Sequence, residues 1–205
     1  MTETYEFTND WFAPHKPVWE QLIQQFQPKK ALEIGAYEGA CTCFMLQQDA
    51  PVPLQEVYCV DTWAGGMEHA NTDMSEVERR FDRNIKKALA TGAQAKVFKL
   101  KGFSRDGLLQ LLNQGHAGSF DLIYIDGSHQ AADVLSDSVL AFMLVRVGGV
   151  LIWDDYLWSH EPLGQQDSLN MPKPAIDAFV NLYQRKLSVL VGTPLYQLYA
   201  QKIAE

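Results

Sequence analysis

Four aspartates and a glutamate close or end apolar runs in this sequence: Glu33 in ALEIGAYEG, Asp61 in VYCVD, Asp126 in FDLIYIDGSH, and Asp154 with Asp155 in GGVLIWDDY. A buried parallel strand reads as a short continuous apolar run, and an open α/β sheet binds ligands outside the carboxyl ends of its strands. Acids at the ends of strands from one sheet would therefore face a common crevice. Asp126, Asp154 and Asp155 form the sharpest group, because three carboxylates brought together repel unless a cation or shared protons intervene. Their hard oxygens suit Mg²⁺, Mn²⁺ or Ca²⁺, which makes them candidate ligands of a divalent ion. The competing reading is that these acids cap turns and helices.

Gly35 and Gly39 lie in the turn GAYEG, where missing side chains let a ligand approach the backbone and the following helix. The dinucleotide pattern GxGxxG would place a second glycine where Tyr37 stands, so the turn does not match it. Asp61 occupies the position of an acid that hydrogen-bonds ribose hydroxyls, and Trp63 follows as a candidate apolar wall. His129, three residues after Asp126, is a candidate base for a substrate hydroxyl, since imidazole is the side chain that ordinarily titrates near neutrality. His69 and His160 fall in loops that could cover a site; His15 and His116 have no comparable context.

The elements that must position these residues follow from periodicity. Strands are predicted over 30–34, 56–60, 95–100, 120–125 and 150–153, separated by helices over 17–26, from about 38, from 75 to a stop at 92, after Ser104, and over 130–145. Ser75 and Glu78 have capping-box spacing, and Ser104 is placed to cap the helix carrying Leu108, Leu109 and Leu112. Loops are expected over 62–73 and after Trp158, then a helix over 174–183. The runs 187–191 and 195–200 flank Gly192-Thr193-Pro194. So short a link permits only an antiparallel pair.

The chain has 205 residues, 47% hydrophobic and 20% charged, and a formal net charge of -8. That length and composition suit one globular domain. The acidic balance argues against nucleic acid or an anionic membrane as partner. No apolar run approaches the roughly 20 residues of a membrane span, and the N-terminus lacks a secretory pattern, so a cytoplasmic location is expected. Three cysteines without CxxC spacing read as buried thiols rather than a disulfide framework.

ALEIGAYEGACTCFML resembles the first motif of class I S-adenosylmethionine-dependent methyltransferases, and its LEIGAYEG core is similar to the catechol O-methyltransferase version. KGFSRDGL, FDLIYIDGSHQ and GGVLIWDDY resemble the succeeding motifs of that branch and of small bacterial macrolide-sugar O-methyltransferases, so that the resemblance spans about 10–202. It implies an α/β fold: a Rossmann-like three-layer sandwich whose mostly parallel seven-stranded sheet ends in an antiparallel hairpin. It also implies a single methyltransferase domain over 1–205, with 1–28 as an N-terminal helical or lid segment and 29–205 as the core.

Carried over residue by residue, the resemblance puts Gly35, Tyr37 and Gly39 beneath the methionine moiety of S-adenosylmethionine and Glu33 near its amino group. Asp61 falls on the ribose, and Phe103 and Ser104 at the adenine; Trp63, like Tyr156 and Trp158, is by residue type a candidate wall for cofactor or acceptor and equally a candidate for plain packing. Asp126, beside the cofactor, falls with Asp154 and Asp155 on metal-ligand positions, with Mg²⁺ the expected ion. His129 stands where the catechol enzymes carry a catalytic lysine. The implied reaction is metal-assisted O-methylation of a small hydroxylated acceptor. Tyr5, Phe7, Trp11 and Phe12 of the N-terminal segment are candidates to pack over the site or on the partner subunit of a homodimer. Two other readings remain: a non-catalytic S-adenosylmethionine-binding module, and a nucleotide-dependent oxidoreductase, which the departure from GxGxxG disfavours.

Overall fold

The computed structural model describes residues 5–66 and 69–205. Residues 67 and 68 of the expected 62–73 loop, and 1–4 of the N-terminal segment, lie outside the described residues. After a short 3-10 turn at Ala13–His15, the chain runs α1 (Lys16–Phe26), β1 (Lys30–Ile34), α2 (Ala40–Leu46), β2 (Glu56–Asp61), α3 (Met74–Ala90), β3 (Lys96–Lys101) and α4 (Ser104–Asn113). It continues through β4 (Phe120–Ile125), α5 (Ala131–Leu144), β5 (Val145–Trp153), α6 (Lys173–Leu182), β6 (Leu187–Val189) and β7 (Leu198–Lys202). The seven strands have the order β3-β2-β1-β4-β5-β7-β6. The first five are parallel, and β7 pairs antiparallel with both β5 and β6.

Alternate residues of each strand feed two cores. Ala31, Val57, Cys59, Leu122, Tyr124 and Ile152 pack with side chains of α1, α2 and α3 on one face of the sheet. Leu32, Ile34, Val60, Ile123, Ile125 and Trp153 pack with α4, α5 and α6 on the other. A sheet covered on both faces has no polar side, which is why its strands read as unbroken apolar runs. Among the described residues no helix is long and apolar enough to cross a membrane.

Some local expectations are corrected. Helix α3 is capped by Asp73, whose side chain accepts from the Ser75 and Glu76 backbone N–H groups; Glu78 instead turns to Lys99 and Lys101, so the Ser75–Glu78 capping box does not form. Ser104 is the first residue of α4 and makes no cap bond there. Strand β5 begins at Val145 rather than 150, with a register shift opposite Phe120 and Leu122. Gly149 lies where a Cβ would sit 3.0 Å from the Phe120 carbonyl oxygen, and Gly148 has φ +85°. The glycine pair thus marks an irregularity inside the strand.

The N-terminal segment is fastened to the first core. Glu38 accepts from the Thr8 backbone N–H and hydroxyl and pairs with Arg80 at 2.9 Å. Trp19 is fully buried, its ring 5.0 Å from Tyr124 and 5.3 Å from Phe12. Replacing it with alanine removes that packing and one partner of Gln197. Trp19→Ala is expected to lower unfolding free energy by about 3–5 kcal/mol in urea titration, and a loss below about 1 kcal/mol would show that α1 does not anchor the sheet.

Candidate active site

The register of β2, β1, β4 and β5 pairs Val60 with Ile34, Ile34 with Ile125, and Ile125 with Trp153. The residues that follow, Asp61, Gly35, Asp126 and Asp154, therefore emerge at one level. Because β1 lies between β2 and β4, the connections on its two sides run over opposite faces, and a crevice opens where they part. It is occupied by a cavity of about 1530 Å³ lined by residues from all of these strand ends. Single small-molecule pockets run to roughly 300–1,000 Å³, so this one has room for two ligands.

The floor of the crevice is set by glycine. Gly35 has φ +86°, and a Cβ there would lie 1.9 Å from the Asp126 carbonyl oxygen. Tyr37 also holds a positive φ, 45°. Asp61 stabilises that turn: one carboxylate oxygen accepts from the Tyr37 backbone N–H at 2.8 Å, the other from the Trp63 backbone N–H at 2.6 Å. Gly35, Tyr37 and Asp61 all line the cavity.

Three expected cofactor residues stand behind the lining rather than in it. Trp63 is only 4% exposed, packed 4.9 Å from the Phe81 ring and under the Lys99 ammonium, with its indole N–H on the Tyr37 carbonyl. Its direction follows from the Asp61 turn, which packs it into the core beneath the lining. Gly39 starts α2 with φ +81° and lies against the Phe81 ring. Glu33 points to the α2 face, is 2% exposed and accepts from the Thr42 hydroxyl. Burial pushes its carboxyl up to about 8, against the opposing effect of the Thr42 hydrogen bond.

Phe103 and Ser104 lie at the mouth of the cavity on the β3–α4 turn, Phe103 69% exposed. Asp137 of α5 also lines the cavity, although it is 1% exposed; it accepts from Ser104, and its Oδ1 has no hydrogen-bond partner among the described residues. Burial raises its carboxyl to about 6.

At the far side Asp126, Asp154 and Asp155 share the lining with His129. Burial, then the charges of Asp154 and Asp155, hold Asp126 well above the usual carboxylate range. Burial and the Asp155 charge raise Asp154 as well. Asp154 Oδ2 accepts from the Tyr124 hydroxyl and from Gln197 Nε2 at 3.0 Å, while Oδ1 accepts from the Asp155 backbone N–H at 2.8 Å. Asp155, at φ +55°, faces His129 Nε2 at 2.8 Å, and the His129 ring stands 4.0 Å from that of Trp158. The oxygens suit a hard divalent cation, and Asp154 and Asp155 are engaged by Tyr124, Gln197 and His129. Among the described residues no three His, Cys, Asp or Glu side chains are grouped to hold a metal ion.

Asp137, Gln197 and Tyr196 join the site without having been singled out in the sequence, while Trp11, one of the N-terminal aromatics expected over the site or on a partner subunit, lines the cavity. Asp137 did leave a trace, an acid on the helix face shared by Val134 and Ala141. Gln197 sits within an apolar run, and its link to Asp154 spans 43 residues.

The segment 32–156 matches the family model described as a methyltransferase domain. The chain is 24% identical over 172 residues to a probable caffeoyl-CoA O-methyltransferase 3 of Dictyostelium discoideum, covering 82% of this chain and 60% of that protein. It thus spans about 60% of the length of the curated relatives it matches. An O-methyltransferase from Bacillus cereus, solved in complex with SAH, aligns with a TM-score of 0.64 at 20% identity, over 98% of this chain and 84% of that one. MycE of the mycinamycin biosynthetic pathway, solved with Mg and SAH, aligns at 0.59 and 19% identity, over 97% of this chain and 51% of that one. These structural likenesses show the fold.

Glu33 gives the site a pH signature. Its folded pKa of about 8 exceeds its ordinary 4.5, so the folded state binds more protons between those values and stability falls as pH rises through them. Glu33→Gln removes that loss. Its stability relative to wild type is expected to grow by up to a few kcal/mol from pH 4.5 to 8 and then level off; a difference independent of pH would place the carboxyl in a solvated setting. With the crevice at the β1–β4 switch point and the match over 32–156, the chain belongs to the methyltransferase-domain family.

Proposed function

We propose that the chain is an S-adenosylmethionine-dependent O-methyltransferase whose cavity takes the cofactor and a small hydroxylated acceptor together. The observation that carries this reading is the two-ligand volume opening over the Gly35 turn, with Asp61 on one side and His129 on the other. The solved O-methyltransferase from Bacillus cereus holds SAH on the same fold, which supports it.

In this reading Gly35 and Tyr37 present backbone to the methionine moiety. Asp61 offers its remaining lone pairs to the ribose hydroxyls, since a carboxylate has about four acceptor sites and two are in use. Phe103 and Ser104 flank the base. Glu33, Gly39 and Trp63 act from below by shaping the turn.

When bound, S-adenosylmethionine supplies an electrophilic sulfonium methyl. The chain's own task is to align an acceptor oxygen with that methyl and remove the oxygen's proton. His129 is the proposed base. The proton passes from the acceptor hydroxyl to Nδ1, the ring nitrogen turned away from Asp155 and buried in this structure, and Asp155, 2.8 Å from Nε2, stabilises the resulting cation. Trp158 packs against the imidazole and limits its rotation.

A divalent cation is the finer part of the proposal. Its support is the hard donor set of Asp126, Asp154 and Asp155, whose mutual repulsion a cation relieves, and the Mg in the solved MycE complex. Asp155 would join that set only by leaving His129. A non-catalytic binding module needs the cavity but neither base nor cation.

Calorimetric titration is expected to show S-adenosylmethionine and S-adenosylhomocysteine binding and NAD giving no heat; NAD binding with neither sulfur nucleoside would overturn the assignment. Asp154→Asn is expected to weaken Mn²⁺ binding, followed by electron paramagnetic resonance, by roughly 10–100-fold, and to cut Mg²⁺-dependent methyl transfer while leaving S-adenosylhomocysteine affinity intact. Unchanged Mn²⁺ affinity would remove the metal from the reading.

A further inference from the structure

The cavity is one-sided in charge. Among the described residues its lining carries seven aspartates, one arginine, and neither lysine nor glutamate. Arg105 follows Ser104 on the β3–α4 turn and is already 3.3 Å from Asp106. Asp61 and Asp137 lie with the turns assigned to the cofactor; Asp10, Asp154 and Asp155 lie with the elements left for the acceptor. Those elements are also aromatic. Trp11, 63% exposed, Trp158 and Tyr196 line the same space.

Carboxylates in a concave, partly desolvated wall focus a negative potential, and indole and phenol faces attract alkylammonium groups. Both features oppose an anion. A bound divalent ion would reduce the negative charge, and burial already favours the neutral form of Asp126, Asp137 and Asp154, so the polarity of the lining rests on its excess of aspartates over the single arginine. The four histidines of the lining add positive charge only when protonated.

We propose that the acceptor is a hydroxylated molecule bearing a protonated amine, and that acyl-CoA thioesters and other phosphorylated or carboxylated alcohols are rejected. The inference rests on the methyltransferase reading of this cavity. It separates the chain from an acyl-CoA acceptor, the class printed in the name of the Dictyostelium relative.

The test uses probes matched in size and different in charge: 3,4-dihydroxybenzylamine, 4-methylcatechol and 3,4-dihydroxybenzoate, with caffeoyl-CoA as a fourth. Each is titrated calorimetrically at pH 8 into the full chain saturated with S-adenosylhomocysteine, once with Mg²⁺ and once with EDTA. The amine is expected to bind about tenfold more tightly than the neutral catechol, and the benzoate and the thioester about tenfold more weakly. The spread should shrink as ionic strength rises from about 0.02 to about 0.3 M. Asp10→Asn should narrow the amine-to-neutral ratio and leave S-adenosylhomocysteine affinity unchanged.

Benzoate or caffeoyl-CoA binding as tightly as the amine would overturn the proposal, as would silence from all four probes. An amine preference present with EDTA and abolished by Mg²⁺ would also overturn it, because the cation served would then be the metal. Failure of S-adenosylhomocysteine itself to bind would strike the proposed function instead.

Discussion

The site depends on the close approach of two turns. The backbone after β1 passes so near the carbonyl of Asp126 that a single methyl group at Gly35 would overlap it, and the turn runs through positive φ at Gly35, Tyr37 and Gly39. A non-glycine residue in that region is strained and persists only where its surroundings hold it. Tyr37 is held by its N–H on Asp61 and its carbonyl on the Trp63 indole. The acid that ends β2 therefore shapes the turn after β1, and the crevice between β1 and β4 is kept open by bonds made on the other side of β1.

Behind the aspartates lies a buried polar chain that connects the site to the rest of the fold. Trp19 of α1 and Tyr199 of β7 both donate to Gln197 Oε1, and Gln197 Nε2 donates to Asp154 and to the Tyr124 hydroxyl. Buried polar groups are costly unless satisfied, so such a chain fixes side-chain directions more strictly than apolar packing does. It leaves Asp154 committed, while Asp155, turned by a positive φ, meets His129. Two adjacent acids in the sequence thus acquire different surroundings, one held by the core and one paired with His129.

The N-terminal segment completes the enclosure by ordinary surface chemistry. Glu6 engages Arg83 and Lys87 of α3, and Glu38 engages Thr8 and Arg80. Exposed pairs of this kind contribute little stability individually, but Glu38 is buried, and its bonds hold the segment that carries Asp10 and Trp11 over the cavity. Trp11 then meets Tyr37 at 5.5 Å and His69 at 6.3 Å. The wall assigned to the acceptor is therefore assembled from segments far apart in the chain.

Much of this was legible in the linear chain. Apolar runs of five or six residues alternating with helical periods specify a sheet covered on both faces, and the short separation of the last two runs specifies the antiparallel turn back, although the strands stop at Val189 and resume at Leu198 instead of running over 187–191 and 195–200. The residue types at the strand ends were likewise visible: Gly35 as a point of close approach, Asp61, Asp126 and Asp154 at a crevice, and His129 beside them. What only the tertiary structure decided was direction and company. Trp63 turned into the core, Glu33 was buried beneath Thr42, Asp137 and Gln197 reached the site from elements read as plain helix and strand, and of the candidate metal ligands Asp154 met Tyr124 and Gln197 while Asp155 met His129. A side chain's orientation depends on the turn beneath it and on groups tens of residues away, and no local pattern carries that information.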